Sequence, residues 1–260
     1  MIAPAAEGRV SFRRAEPVMG TVVSFDVRPQ GLAAEQTRAA LREACAVVHD
    51  ADACFSLYRP KSPLSRLRRG ELAIDDAPAE IGEVLEECRR VRDLSGGWFD
   101  PWAMDGGVDP TGLVKGWAAV RALRVLQAAG AGAGAAMINA AGDVAVHGRP
   151  APARRWQIGV RRPESPQVLS CVVEAGGAVA TSGQYERGPH VLDPRTGLPA
   201  SAARSATVCG PDLTVADGLA TGLLAAGRRG LGQIAAAGYE AMIIDPDGRL
   251  VHTSGFPFLG

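Results

Sequence analysis

From residue 20 to 27 apolar and polar positions alternate. Val23, Phe25 and Val27 fall on one face and Val22, Ser24 and Asp26 on the other, the period of a half-buried strand. The period then changes. From about residue 33 to 53, Leu41, Cys45 and Val48 recur at helical spacing, and Ile81, Val84, Leu85, Cys88 and Val91 repeat it until Ser95-Gly96-Gly97 stops the helix. A third helix is predicted from about 113 to 129, with Trp117, Val120, Leu123 and Leu126 inward, closed by the Ala/Gly-rich turn 130–134. The second half is punctuated by Gly and Pro and reads as short strands at 137–146, 156–161, 168–174, 178–181, 205–209, 241–244 and 249–253. One more helix is expected at 214–226. Helices first and strands later, without regular alternation, predict an α+β fold with mixed or antiparallel sheets and flanking helices. A single domain over 1–260 is expected, with the Pro/Arg-rich stretch 149–155 a candidate loop between two lobes.

Composition narrows the partners. At 260 residues and 47% hydrophobic content the chain can bury a large core. Lys+Arg and Asp+Glu balance at 28 each, so neither a nucleic acid nor an anionic membrane is the expected main partner, and any bound anion must be held locally. Cys45, Cys54, Cys88, Cys171 and Cys209 are scattered without metal-ligand spacing and read as buried thiols in a reducing compartment. Residues 1–10 lack the pattern of a secretory signal, and no apolar run approaches the ~20 residues of a membrane span. A soluble cytoplasmic protein is expected.

Gly130-Ala-Gly-Ala-Gly follows a helix, whereas a dinucleotide loop must follow a strand and open a helix, so it is set aside. More informative is Asp109-Pro110-Thr111-Gly112-Leu113-Val114-Lys115-Gly116, preceded by Trp98-Phe99-Asp100-Pro101. Lys115 is one of only two lysines. Taken alone, this stretch reads as a helix start with Asp109 or Thr111 as cap and Lys115 solvated. It also reads as a diphosphate site built from helix-start N–H groups and an ammonium. Asp217 and Thr221, four apart on the predicted helix, share a face and offer hard oxygens for magnesium. Thr214-x-x-Asp217 equally matches a capping box. Gly218 and Gly222 disfavour that helix and imply close approach of another backbone or a ligand. His190 is either a surface histidine or a general base, and Asp193-Pro194-Arg195-Thr196-Gly197 has the composition of a tight turn.

In order, Met19-Gly20-Thr21, Phe55-Ser56-Leu57-Tyr58-Arg59-Pro60, Gly97-Trp98-Phe99-Asp100-Pro101 and the Asp109 to Gly116 segment run through the first half. Ile138-Asn139-Ala140-Ala141-Gly142-Asp143, Ala180-Thr181-Ser182-Gly183-Gln184-Tyr185-Glu186-Arg187, His190-Val191-Leu192-Asp193-Pro194-Arg195-Thr196-Gly197 and Ala216-Asp217-Gly218-Leu219-Ala220-Thr221 follow. Together they resemble the ApbE family of FAD:protein FMN transferases, over about residues 18–250. The resemblance implies FAD contacts at Met19, Tyr58, Trp98, Phe99, Asp100, Asp109, Lys115 and the backbone of Val191. It implies magnesium ligation by the Gly112 carbonyl and the side chains of Asp217 and Thr221. His190 matches the position that helps deprotonate an acceptor hydroxyl. The implied reaction is Mg2+-dependent transfer of FMN from FAD to a Thr or Ser of an acceptor flavoprotein, with release of AMP. The acceptor segment is expected to be rich in Asp, Gly, Ala and Ser or Thr.

Three features depart from the family pattern. The interval from Asp100 to Asp109 is short, so a loop or subdomain is absent there; Ala140-Ala141 replaces a glycine pair; and Gln184 stands where an acidic or small polar residue is common. Hydrolysis of FAD to FMN and AMP at the same site, and FAD binding without catalysis, are the competing readings.

Overall fold

The structure, a computed structural model, describes residues 10–130, 134–184, 188 and 190–259. Its strands are β1 (Phe12–Val18), β2 (Thr21–Arg28), β3 (Ala135–Ala140), β4 (Asp143–His147), β5 (Trp156–Arg162), β6 (Ser165–Ala175), β7 (Ala178–Gly183), β8 (Ser205–Gly210), β9 (Glu240–Ile244) and β10 (Leu250–His252). The helices are α1 (Ala34–Phe55), α2 (Pro63–Arg68), α3 (Ala79–Leu94), α4 (Thr111–Ala128), α5 (Leu213–Ala226) and α6 (Leu231–Ala236). Eight strands form one sheet in the order β1-β2-β3-β4-β7-β8-β9-β10, every pair antiparallel, while β5 and β6 form a separate hairpin.

Side-chain alternation divides the molecule into layers. Along β7, β8 and β9, Ala178, Ala180, Ala206, Val208, Ala241 and Ile243 point into the core shared with the helices. The intervening Val179, Cys209 and Met242 join Trp156, Val160 and Val173 of the β5–β6 hairpin on the other face. The expected α+β architecture is therefore present, with the large sheet between a helical layer and a hairpin. All five cysteines are free; Cys54 and Cys171 are only half-buried.

Three features differ from the sequence expectations. β1, α2 and α6 were not anticipated: β1 shows outward-facing arginines rather than a clean apolar stripe, and α2 and α6 are each only six residues long. The apolar run 137–146 is two strands, because Ala141 and Gly142 turn the chain with φ of 59° and 101°. Two positive-φ residues between paired antiparallel strands suit the strand twist. An alanine held there is strained by about 1–2 kcal/mol, partly offset because glycine is more disordered when unfolded. Ala141→Gly is therefore expected to stabilise the protein by about 1 kcal/mol, read as a higher urea midpoint at unchanged m-value.

Candidate active site

The site forms where α4 crosses α5. Gly116 lies so close to α5 that a Cβ there would stand 2.5 Å from the Leu213 carbonyl oxygen and 2.9 Å from the Asp217 Cβ. That approach lets the Gly116 N–H donate to Asp217 Oδ2 at 2.9 Å. Gly222, a turn further on, meets the Trp98–Phe99 backbone, the close approach expected from its place on a helix. The capping-box alternative for Asp217 fails. Asp212 caps α5 instead, its Oδ1 accepting from the N–H groups of Thr214 (2.7 Å) and Val215 (3.3 Å). Asp217 is left in the second turn, 2% exposed. Thr221 is the one residue of α5 that is not buried, and its hydroxyl donates to the Gly112 carbonyl at 3.2 Å and accepts from Ser182 at 3.3 Å.

Lys115 is not the solvated first-turn lysine that the segment alone allows. Its ammonium lies 2.9 Å from Asp143 Oδ2 and 3.7 Å from Asp217 Oδ1. Asp143 opens β4, is 3% exposed, and accepts the Thr181 N–H through its other oxygen at 3.2 Å. Burial pushes the Asp217 carboxyl well above the usual carboxylate range; the charge of Asp143 adds to this, while Lys115 and the Gly116 N–H oppose it. With both carboxylates ionised, one ammonium leaves the buried cluster one charge negative. Carboxylate, hydroxyl and carbonyl oxygens are the hard donors that magnesium takes, and it ordinarily completes its shell with water and phosphate oxygens. The residues present fit such an ion.

Above this centre opens a cleft of about 880 Å³, lined by every sequence-predicted site residue except Asp217, which lies beneath its floor. Met19 reaches it from the β1–β2 turn at φ 55°. Tyr58 stands at the edge, 98% exposed, while Trp98 and Phe99 are buried in the wall. Asp100 accepts the Trp102 N–H at 3.0 Å and pairs with Arg92 at 2.9 Å. Asp109 accepts both the N–H (3.0 Å) and the hydroxyl (2.6 Å) of Thr111 in a turn before α4, whose N-cap position is Pro110 without a side-chain cap, so neither Asp109 nor Thr111 is the cap; Asp109 also lines the cleft. Val191 is buried at the cleft wall, and His190 beside it is exposed, with Nδ1 2.9 Å from the Gly188 carbonyl. A carbonyl only accepts, so Nδ1 is the donor, which in the neutral ring makes Nε2 the acceptor. Tyr185, Glu186 and Arg187 of the predicted motif lie outside the described residues.

Two components escaped the sequence analysis. Asp143 was quoted in a motif but assigned no role, and nothing local signals its pairing with a lysine 28 positions earlier. Arg195 and Arg229 lie 3.5 and 4.6 Å from the centroid of the Trp98 ring. Trp98 is thus held by cations from two distant segments, a favourable contact with an aromatic ring that no spacing rule predicts.

Fold and site together define an α+β protein with a large cleft over a buried carboxylate–ammonium centre. The chain belongs to the ApbE family, whose profile matches residues 19–105 and 103–243. It is 32% identical over 132 residues to a FAD:protein FMN transferase of Vibrio cholerae, covering 46% of this chain and 39% of that protein. A FAD:protein FMN transferase of Rhodobacter capsulatus is 34% identical over 129 residues, 45% of this chain and 24% of its own. The matched stretch thus spans well under half the length of either relative. Among solved structures, the flavin transferase ApbE from Vibrio cholerae superposes with a TM-score of 0.81 at 23% identity, over 96% of this chain and all of that one. The ApbE protein of Thermotoga maritima gives 0.79 at 21%, over 95% of this chain and 98% of that one. At such identities the superpositions establish the fold.

Proposed function

We propose that this protein is a magnesium-dependent FAD:protein FMN transferase, which moves FMN from FAD to a threonine or serine hydroxyl of an acceptor flavoprotein and releases AMP. The observation that carries the reading is the convergence of Lys115, Asp143, Asp217, Thr221 and the Gly112 carbonyl beneath one large cleft. The names of the relatives point the same way.

In this reading FAD lies along the cleft with its diphosphate over the centre. Asp217, Thr221 and the Gly112 carbonyl hold the magnesium ion, which when bound supplies Lewis-acid neutralisation of diphosphate charge. Lys115, kept in place by Asp143, places a positive charge at the same group. The buried walls formed by Trp98 and Phe99 exclude water along one side, and the exposed Tyr58 is available to cover the bound ligand. The acceptor oxygen attacks the FMN phosphorus, the phosphoanhydride bond to AMP breaks, and the hydroxyl proton passes to Nε2 of His190.

Intact-mass analysis of a candidate acceptor flavoprotein after incubation with this protein, FAD and magnesium tests the reading. The expected result is a gain of one FMN phosphoester that a chelator abolishes. Accumulation of free FMN and AMP without that gain would replace transfer with hydrolysis; retention of FAD with no AMP would make the protein a flavin binder.

A further inference from the structure

The residues assigned to FAD occupy the helical side and the turns of the cleft, while the β5–β6 hairpin on its far side carries no assignment. There Ile158, Gly159, Val160 and Arg161 of β5 line it in unbroken succession. Side chains of a strand alternate between faces, so four consecutive residues at one cavity mean that the edge of the strand, with its peptide groups, faces the cavity. β5 has β6 on one side only. Among the described residues, no segment other than β6 pairs with the backbone from Trp156 to Val160. An open edge ordinarily invites another chain. Arginine dominates the charge along it: Arg154 and Arg155 precede the strand and Arg161 and Arg162 end it, all exposed, with no acidic residue from 154 to 162, while Glu164 beyond the strand pairs with Arg162 at 3.6 Å and Glu174 of β6 lies across from Gln157.

We propose that the outer edge of β5 is the docking strand for the acceptor. An extended acidic segment pairs with it, backbone to backbone, and so carries its threonine or serine hydroxyl along the cleft to the centre at Lys115 and Asp217. This rests on the transfer reading above and adds how the protein substrate is held. Main-chain pairing supplies affinity with little demand on side chains, and the bracketing arginines select acidic flanks.

The acceptor that gains FMN in the mass assay is the probe, used both as wild type and as a threonine-to-valine variant of its modified residue that docks without turning over. Arg155→Glu with Arg162→Glu is expected to raise the acceptor KM roughly tenfold at low salt and to leave the dissociation constant for FAD unchanged. Hydrogen exchange supplies the backbone readout. Amides of β5 that face the cleft are expected to exchange quickly in the free enzyme and to become protected, at every second residue, when the valine variant is added. Unaltered β5 exchange together with an unaltered KM, while transfer proceeds, would overturn the docking assignment and leave the transferase reading standing. Failure of every acceptor to gain FMN from the wild-type enzyme would instead bring down the transferase reading, and this one with it.

Discussion

Asp217→Asn is expected to cut FMN transfer by about 10³-fold or more, equivalent to about 4 kcal/mol of transition-state stabilisation, while leaving the metal-free protein folded. Asparagine retains an oxygen for the Gly116 N–H that Asp217 accepts, but it brings no charge to the cation. Stability should move the opposite way. A carboxyl whose pKa is raised by folding holds its proton more tightly in the folded chain than in the unfolded one. The metal-free fold is therefore most stable while Asp217 is protonated, and loses that contribution as pH climbs from the ordinary carboxylate value of about 4 through about 7. At pH 8 the asparagine variant is expected to melt above the metal-free parent. Magnesium should raise the melting temperature of the parent and not of the variant. Thermal unfolding at pH 5 and pH 8, with and without magnesium, measures all of this. Full transfer activity in the variant, or an equal magnesium shift in both proteins, would remove Asp217 from the metal site.

Gly116→Ala is expected to destabilise the protein by about 3 kcal/mol, because the new methyl meets backbone rather than a side chain that can swing aside. Its nearest neighbour is the Leu213 carbonyl oxygen at 2.5 Å, and its next is the Asp217 Cβ. Relief requires α4 and α5 to separate, which lengthens the Gly116–Asp217 hydrogen bond and draws the Gly112 carbonyl from Thr221. Magnesium binding should weaken along with stability. Gly82→Ala is the control: Gly82 lies within α3 with nothing inside 4 Å of its Cβ position, so alanine there should stabilise by about 1 kcal/mol through helix propensity alone. Equal behaviour of the two variants in urea denaturation would mean that the helix crossing is looser than described.

The elements with a clean period were readable without a structure. α1 and α3 each bury one stripe, Leu41, Cys45 and Val48 in one and Ile81, Val84, Leu85, Cys88 and Val91 in the other, and both extend close to the predicted limits. The two helices that build the site are harder. α5 is buried almost all round, and α4 buries residues on several faces, which leaves the position of the functional face without a clean hydrophobic signature. Val120, predicted inward, is only half-buried, whereas Ala118, Ala119 and Ala122 are buried because neighbouring elements surround α4.

The resemblance carried by eight ordered motifs indicated which residues to gather, and the cleft gathers them with Asp217 buried beneath it. It did not indicate their physical state. Whether Asp217 capped its helix depended on the φ and ψ at Asp212 and on how deeply the next turn is buried, and neither is encoded in a four-residue spacing.

The sequence by itself determined the local periods, the turns demanded by Gly and Pro, the family and the inventory of hard oxygen donors, because each of these depends on neighbours within a few residues. Only the tertiary structure decided that Lys115 sits between Asp143 and Asp217, that Arg195 and Arg229 meet on Trp98, and that the edge of β5 opens onto the cleft. Those pairings join segments from 28 to 131 positions apart. They exist because α4 and α5 pack at a glycine and an antiparallel sheet brings its turns to their ends, a balance of burial and approach that no short stretch of chain contains.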